Sequence, residues 1–232
     1  MDDPGSVPRL PIDHFLQRLA FQIAPQVLDE QFRDGLVTLR MRPADMRQHE
    51  DALGGPEGVL GGQGLLAEHI EHVHHGYVND RTPVLLQYLA KLCKVHGAEH
   101  PELFDITREF EACAGAMAMH MKKEELMLFP FIKRMELAQR EGSPVPVPHF
   151  GTVENPVNMM KHEHEEEGER FQRIAALTDR YTPPSDGCNT YRAAYALLQE
   201  FEQDLHRHIH LENNILFPKA MELERTLQHA SA

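Results

Sequence analysis

Cysteine is scarce in this 232-residue chain, and its three copies (Cys93, Cys113 and Cys188) are unclustered. An odd, scattered set makes no disulfide framework, so a reducing cytoplasm is the expected compartment. Basic residues are also in deficit, with 23 Lys and Arg against 36 Asp and Glu for a formal net charge of −13. That balance argues against a nucleic-acid partner and against attraction to an anionic membrane surface. No apolar run is long enough for a transmembrane helix, and the Met1-Asp2-Asp3-Pro4 start has neither the basic nor the apolar region of a signal peptide. Histidine, by contrast, is abundant, with sixteen copies. Imidazole is the commonest protein metal ligand, which makes a metal site the first hypothesis.

The pattern along the chain predicts an all-α protein: an up-down four-helix bundle behind a small N-terminal appendage. The appendage covers residues 1–52. A glycine-rich linker, 53–64, contains LGGPEGVLGGQG. The bundle covers 65–227, with helices over about 65–95, 103–137, 153–178 and 190–227. Loops rich in Pro and Gly (EGSPVPVPHFG and TPPSDGCN) separate the later helices. Thr82-Pro83 reads as a restart or kink in the first helix, and Pro130 and Pro218 as kinks or ends of theirs.

The sharpest signal is an internal repeat. His120 to Pro130 reads HMKKEELMLFP and His208 to Pro218 reads HIHLENNILFP, sharing H-x3-E-x3-L-F-P at one constant offset. A duplicated helical hairpin should also repeat its first helix. His164 precedes His208, and His75 precedes His120 by one residue more. The duplication therefore nominates His75, His120, Glu124, His164, His208 and Glu212. Alternatives stay open in EHIEHVHH, because the stripe Leu66, Ile70, Val73, Tyr77 favours His69 or His74, and His72 is also near.

Helical periodicity supports the same set. Phe110, Cys113, Met117, His120, Glu124, Met127 and Phe131 lie on one face, as do Ala194, Leu198, Phe201, Leu205, His208, Glu212 and Ile215. A third face carries Val153, Val157, Met160, His164, Gly168 and Phe171. The His and Glu thus interrupt apolar stripes and point at the core. Buried carboxylates cost several kcal/mol unless paired or bound to a cation. Four His and two Glu account for two metals, two His on each and the Glu bridging, with a solvent-derived bridge and open positions. Nitrogen and carboxylate donors of this kind favour non-haem iron. The acidic run 163–169 reads mainly as a solvated face. No side chain is placed as a general acid or nucleophile, so an enzyme of ordinary type is not expected.

The stretches HMKKEELMLFP, KHEHEEEGE and HIHLENNILFP resemble those of hemerythrin-like (HHE) di-iron proteins, and specifically the repair-of-iron-centres family of YtfE, ScdA and NorA-type proteins. The resemblance spans about residues 60–222. It implies the same six ligands, two iron ions per chain and a cytoplasmic role in the nitric oxide response. The family also implies two partners, nitric oxide and damaged iron–sulfur proteins. Repair proteins of this family usually carry an N-terminal cysteine pair, and here no cysteine precedes Cys93. That departure turns the expectation towards nitric oxide binding, buffering or sensing, with cluster repair by iron donation as the alternative and oxygen binding behind both.

Overall fold

The computed structural model describes residues 62–145 and 147–230; the expected appendage and most of the glycine-rich linker lie outside them. Within the described residues the chain forms four long helices and no strand. Helix α1 (62–96) joins α-helical Gly62–His69 to a π-turn, Ile70–His75, and then to α-helical Gly76–His96. Helix α2 (102–141) has the same construction, with Glu102–Lys123, a π-turn at Glu124–Leu128, and Phe129–Glu141. Helix α3, Glu154–Leu177, is α-helical throughout. Helix α4 (189–230) repeats the α2 pattern, with Asn189–Leu211, a π-turn at Glu212–Leu216, and Phe217–Ala230. Helix α2 packs on α1 and α3, and α4 packs on α1.

The first helix starts at Gly62, inside the segment expected to be linker. Its last two glycines have a packing reason: a Cβ on Gly62 would collide with the Glu136 carboxylate, which accepts the Gly64 N–H at 2.7 Å. Pro83 does not restart α1. The Gly76–His96 helix runs through it, and Asn79, whose carbonyl loses its partner there, is exposed to water. Pro130 and Pro218 also sit inside continuing helices, just after π-turns.

Those turns explain why the expected stripes miss by one residue. A π-turn closes i→i+5 bonds, as in Phe129 N–H to Glu124 O and Phe217 N–H to Glu212 O. The face holding each glutamate is therefore met again at Leu128 and Leu216. Met127 and Ile215, expected in the core, are only half-buried. In α1 the same widening moves the buried face from Val73 and Tyr77 to His74, His75 and Val78.

Two apolar clusters fill the bundle. One gathers Leu85, Leu89, Phe110, Phe171, Tyr191, Tyr195 and Phe201. The other gathers Leu66, Ile70, Phe129, Phe131, Val157, Met160 and Phe217. Along every helix the chain passes from one cluster to the other through a single polar layer, at His75, at His120 and Glu124, at His164, and at His208 and Glu212.

Candidate metal centre

All six residues nominated by the repeat meet in that layer, and none exposes more than 4% of its surface. They fall into two overlapping groups, His75, Glu124, His208, Glu212 and His120, Glu124, His164, Glu212, whose donor atoms within each group lie within 4.8 Å of one another. Both glutamates belong to both groups. Glu212 spreads its two oxygens, Oε1 at 3.0 Å from His208 Nε2 and Oε2 at 3.1 Å from His164 Nε2. Glu124 Oε2 lies 3.3 Å from Nε2 of both His75 and His120, and 4.0 Å from His208. His120 and His164 face each other Nε2 to Nε2 at 3.1 Å. Donors about 2.1 Å from a tetrahedral or octahedral metal stand roughly 3 Å apart, so all of these spacings but the 4.0 Å one to His208 match the edges of coordination polyhedra.

His75 Nε2, His208 Nε2 and all four oxygens of Glu124 and Glu212 are buried without a hydrogen-bond partner among the described residues. Six orphaned polar atoms converging on one point cost far too much to leave uncompensated. Among the described residues the ion-pair partners of the two carboxylates are imidazoles. Two cations would satisfy all six atoms at once, so the donor set fits the metal pair expected from the sequence.

In the metal-free chain protons take over part of that role. Burial would push the Glu212 carboxyl up, but His208 and His164 outweigh it and hold it well below the usual range. Burial would likewise lower the imidazoles of His75 and His120, yet the Glu124 carboxylate raises both, His120 to about 10. The same donors serve protons or metal, so metal uptake must release protons.

A second ring of contacts orients the imidazoles. Nδ1 of His75 donates to Glu125 Oε1 at 3.1 Å, Nδ1 of His120 to Glu163 Oε2 at 2.8 Å, and Nδ1 of His164 to Asn213 Oδ1 at 3.1 Å. Donation from Nδ1 leaves Nε2 free to bind a metal. Glu163 also pairs with Lys123, and the His120 hydrogen bond is the chief reason its carboxyl is pulled down to about 2. Glu163 is thus no part of a merely solvated acidic face, and neither is buried Glu167, which pairs with Arg170. The repeat could have revealed two of these orienting residues, since Glu125 and Asn213 each directly follow a shared glutamate.

Of the four candidates in EHIEHVHH, His75 enters the cluster. His74 is buried against Asp204 instead, His69 is half-buried and His72 is exposed. His96 lies elsewhere, its Nε2 3.3 Å from Cys188 Sγ. His162, His206 and His210 are exposed.

An antiparallel bundle whose second and fourth helices each bring a His and a Glu to one buried cluster is that of the hemerythrin-like cation-binding proteins. Residues 66–220 match the family model described as the Hemerythrin HHE cation binding domain, and the chain belongs to that family. It is similar to the "Iron-sulfur cluster repair protein YtfE" of Musicola paradisiaca, 35% identical over 147 residues, which are 63% of this chain and 60% of that protein. The protein of the same name from Yersinia pseudotuberculosis is 35% identical over 148 residues, covering 64% and 61%. The "Probable iron-sulfur cluster repair protein" of Haemophilus influenzae is 28% identical over 196 residues, covering 84% and 82%. The match thus spans about 60% of the length of the Musicola and Yersinia relatives. Among the described residues no helix is long and apolar enough to cross a membrane.

Proposed function

We propose that this protein holds two iron ions and supplies iron to damaged iron–sulfur clusters. The carrying observation is the convergence of six orphaned buried donor atoms from a chain whose similar relatives are named for cluster repair. In this reading His75 and His208 hold one ion, His120 and His164 the other, and Glu124 and Glu212 bridge. Iron kept there is the element that a cluster stripped by oxidation or nitric oxide needs. Glu125, Glu163 and Asn213 hold the imidazoles in the metal-binding tautomer. Those relatives' names favour repair over the nitric oxide binding preferred on the sequence alone. Nitric oxide binding stands as the second reading, supported by the four-donor groups, which leave a six-coordinate ion two open positions.

The test is anaerobic reactivation of a nitric-oxide-damaged [4Fe–4S] dehydratase by iron-loaded protein, with Glu212→Ala as the comparison. Wild type should restore activity and carry two irons per chain by elemental analysis, and the variant should do neither. Equal reactivation by both proteins would reject repair through this centre. A new visible spectrum on adding nitric oxide without any reactivation would favour the second reading.

A further inference from the structure

Three of the four imidazoles have a partner on Nδ1, so the two halves of the duplication match at one pair of orienting contacts and differ at the other. Glu125, following Glu124, holds His75, and Asn213, following Glu212, holds His164. Glu163, preceding His164, holds His120. The residue preceding His75 is His74, and a carboxylate there would complete the symmetry by holding His208. Instead the His74 ring stacks on His208, with centroids 5.7 Å apart and planes 11° from parallel. Its own Nδ1 faces both oxygens of Asp204 at 3.1 Å. Asp204 lies one turn before His208, and the repeat puts Ala116 at the matching place in α2. His208 Nδ1 is left fully buried with no hydrogen-bond partner among the described residues.

We propose that the two metal positions are unequal, and that the position of His75 and His208 takes and gives up its metal faster than that of His120 and His164. The inference rests on reading the six residues as ligands of two metals, and it names the exchangeable position. An acceptor on Nδ1 fixes ring and tautomer and strengthens Nε2 as a donor, and losing one costs about 10–100-fold in metal affinity. The His120 and His164 position has both rings held, one of them by the charged Glu163. The other has one ring held and one only stacked. A store that must part with iron and yet persist as a fold is served by such a difference, because one ion leaves while the other keeps the shared glutamates neutralised.

The experiment loads the metal-free chain with cobalt(II) and follows its release into excess chelator by absorbance. Wild type should take up two equivalents and release them in two phases of equal amplitude, with rates separated about tenfold or more. Glu163→Ala should speed only the slow phase and Glu125→Ala only the fast one, which assigns each phase to its position. Glu163→Gln keeps an acceptor without the charge and should move the slow phase less in the same direction, covering a failure of the alanine variant to fold. Uptake of two equivalents with release in one phase would overturn the inference alone, as would a Glu163→Ala effect confined to the fast phase. Uptake of fewer than two equivalents would overturn the two-metal reading itself.

Discussion

Helices α3 and α4 reach the same centre by different routes. Helix α3 gives one side chain to the cluster, His164, and stays a regular α-helix from end to end. Helix α4, like α2, gives two, and its backbone opens into a π-turn at the glutamate. In α3 one buried side chain needs only a place on an apolar stripe, whereas α1 presents His75 at the end of a π-turn of its own, Ile70–His75. The H-x3-E pair is different, because the face that carries it must then resume the core around a proline. In a regular helix the rings of Pro130 and Pro218 would clash with the carbonyls of Leu126 and Asn214, four residues back. Moving the bond to i→i+5 relieves that clash, skips one carbonyl, and brings Leu128 and Leu216 under the glutamates. In α2 and α4 the L-F-P tail thus goes with a change of backbone shape while the His and Glu supply the donors; the π-turn of α1 forms without that tail.

The largest effect that tests this contrast comes from removing one ligand of each kind. Glu212→Ala deletes a donor common to both groups, so the chain should retain no tightly bound metal. His164→Ala from the regular helix deletes a donor from one group only, and about one metal per chain should remain. Both variants should melt below metal-loaded wild type, because bound metal contributes folding free energy and neutralises buried carboxylate. Elemental analysis with parallel melting curves reads all of this. Two metals in Glu212→Ala would show that the glutamates do not bridge.

A smaller effect follows from deleting exposed Leu126, which takes one residue from the π-turn of α2. The shortened helix regains α-helical spacing, so helical content should hold in far-ultraviolet circular dichroism. It also brings Pro130 back against a carbonyl, at about 3 kcal/mol, and turns Glu124 away from its partners. The expected outcome is a folded chain with a lower melting temperature and less than one metal. Wild-type metal content after the deletion would mean that the π-turn does not serve the site.

The same contrast explains what was legible in the sequence. Four helices followed from periodicity and loop chemistry, and the six-residue cluster from H-x3-E at a constant offset. The regular α3 obeyed its stripe, with Val157, Met160, His164 and Phe171 all buried. Where a π-turn intervenes, a fixed period fails. It put Met127 and Ile215 in the core, and in α1 its stripe favoured His69 or His74 over the His75 that the repeat nominates, because the turn Ile70–His75 rotates that segment. Glu163 was hidden for another reason. Its partners His120 and Lys123 come from α2, and nothing local in an acidic run reports a contact across the bundle. The names of similar relatives favour repair, the reverse of the order suggested by the lack of a cysteine before Cys93.

The smallest effect concerns the metal-free chain and its pH dependence. His120, raised to about 10, and His75, also raised, sit against Glu124, while Glu163 is lowered to about 2. An imidazole whose folded value exceeds its ordinary 6.5 stabilises fully below pH 6.5, and that contribution drains away as pH climbs towards 10. The lowered Glu163 carboxyl works the other way, stabilising above its ordinary 4.5 and losing its effect as pH falls towards 2. The metal-free chain should therefore be most resistant to urea between those ordinary values and weaken towards pH 9. The loaded chain already holds its imidazoles neutral, so that alkaline decline should vanish. Glu163→Gln removes the acceptor charge beside His120 and should shrink the decline in the free chain. Urea midpoints at pH 6 and pH 9, with and without metal, give the comparison directly. A free chain as resistant at pH 9 as at pH 6 would mean that protons do not stand in for the metals at Glu124.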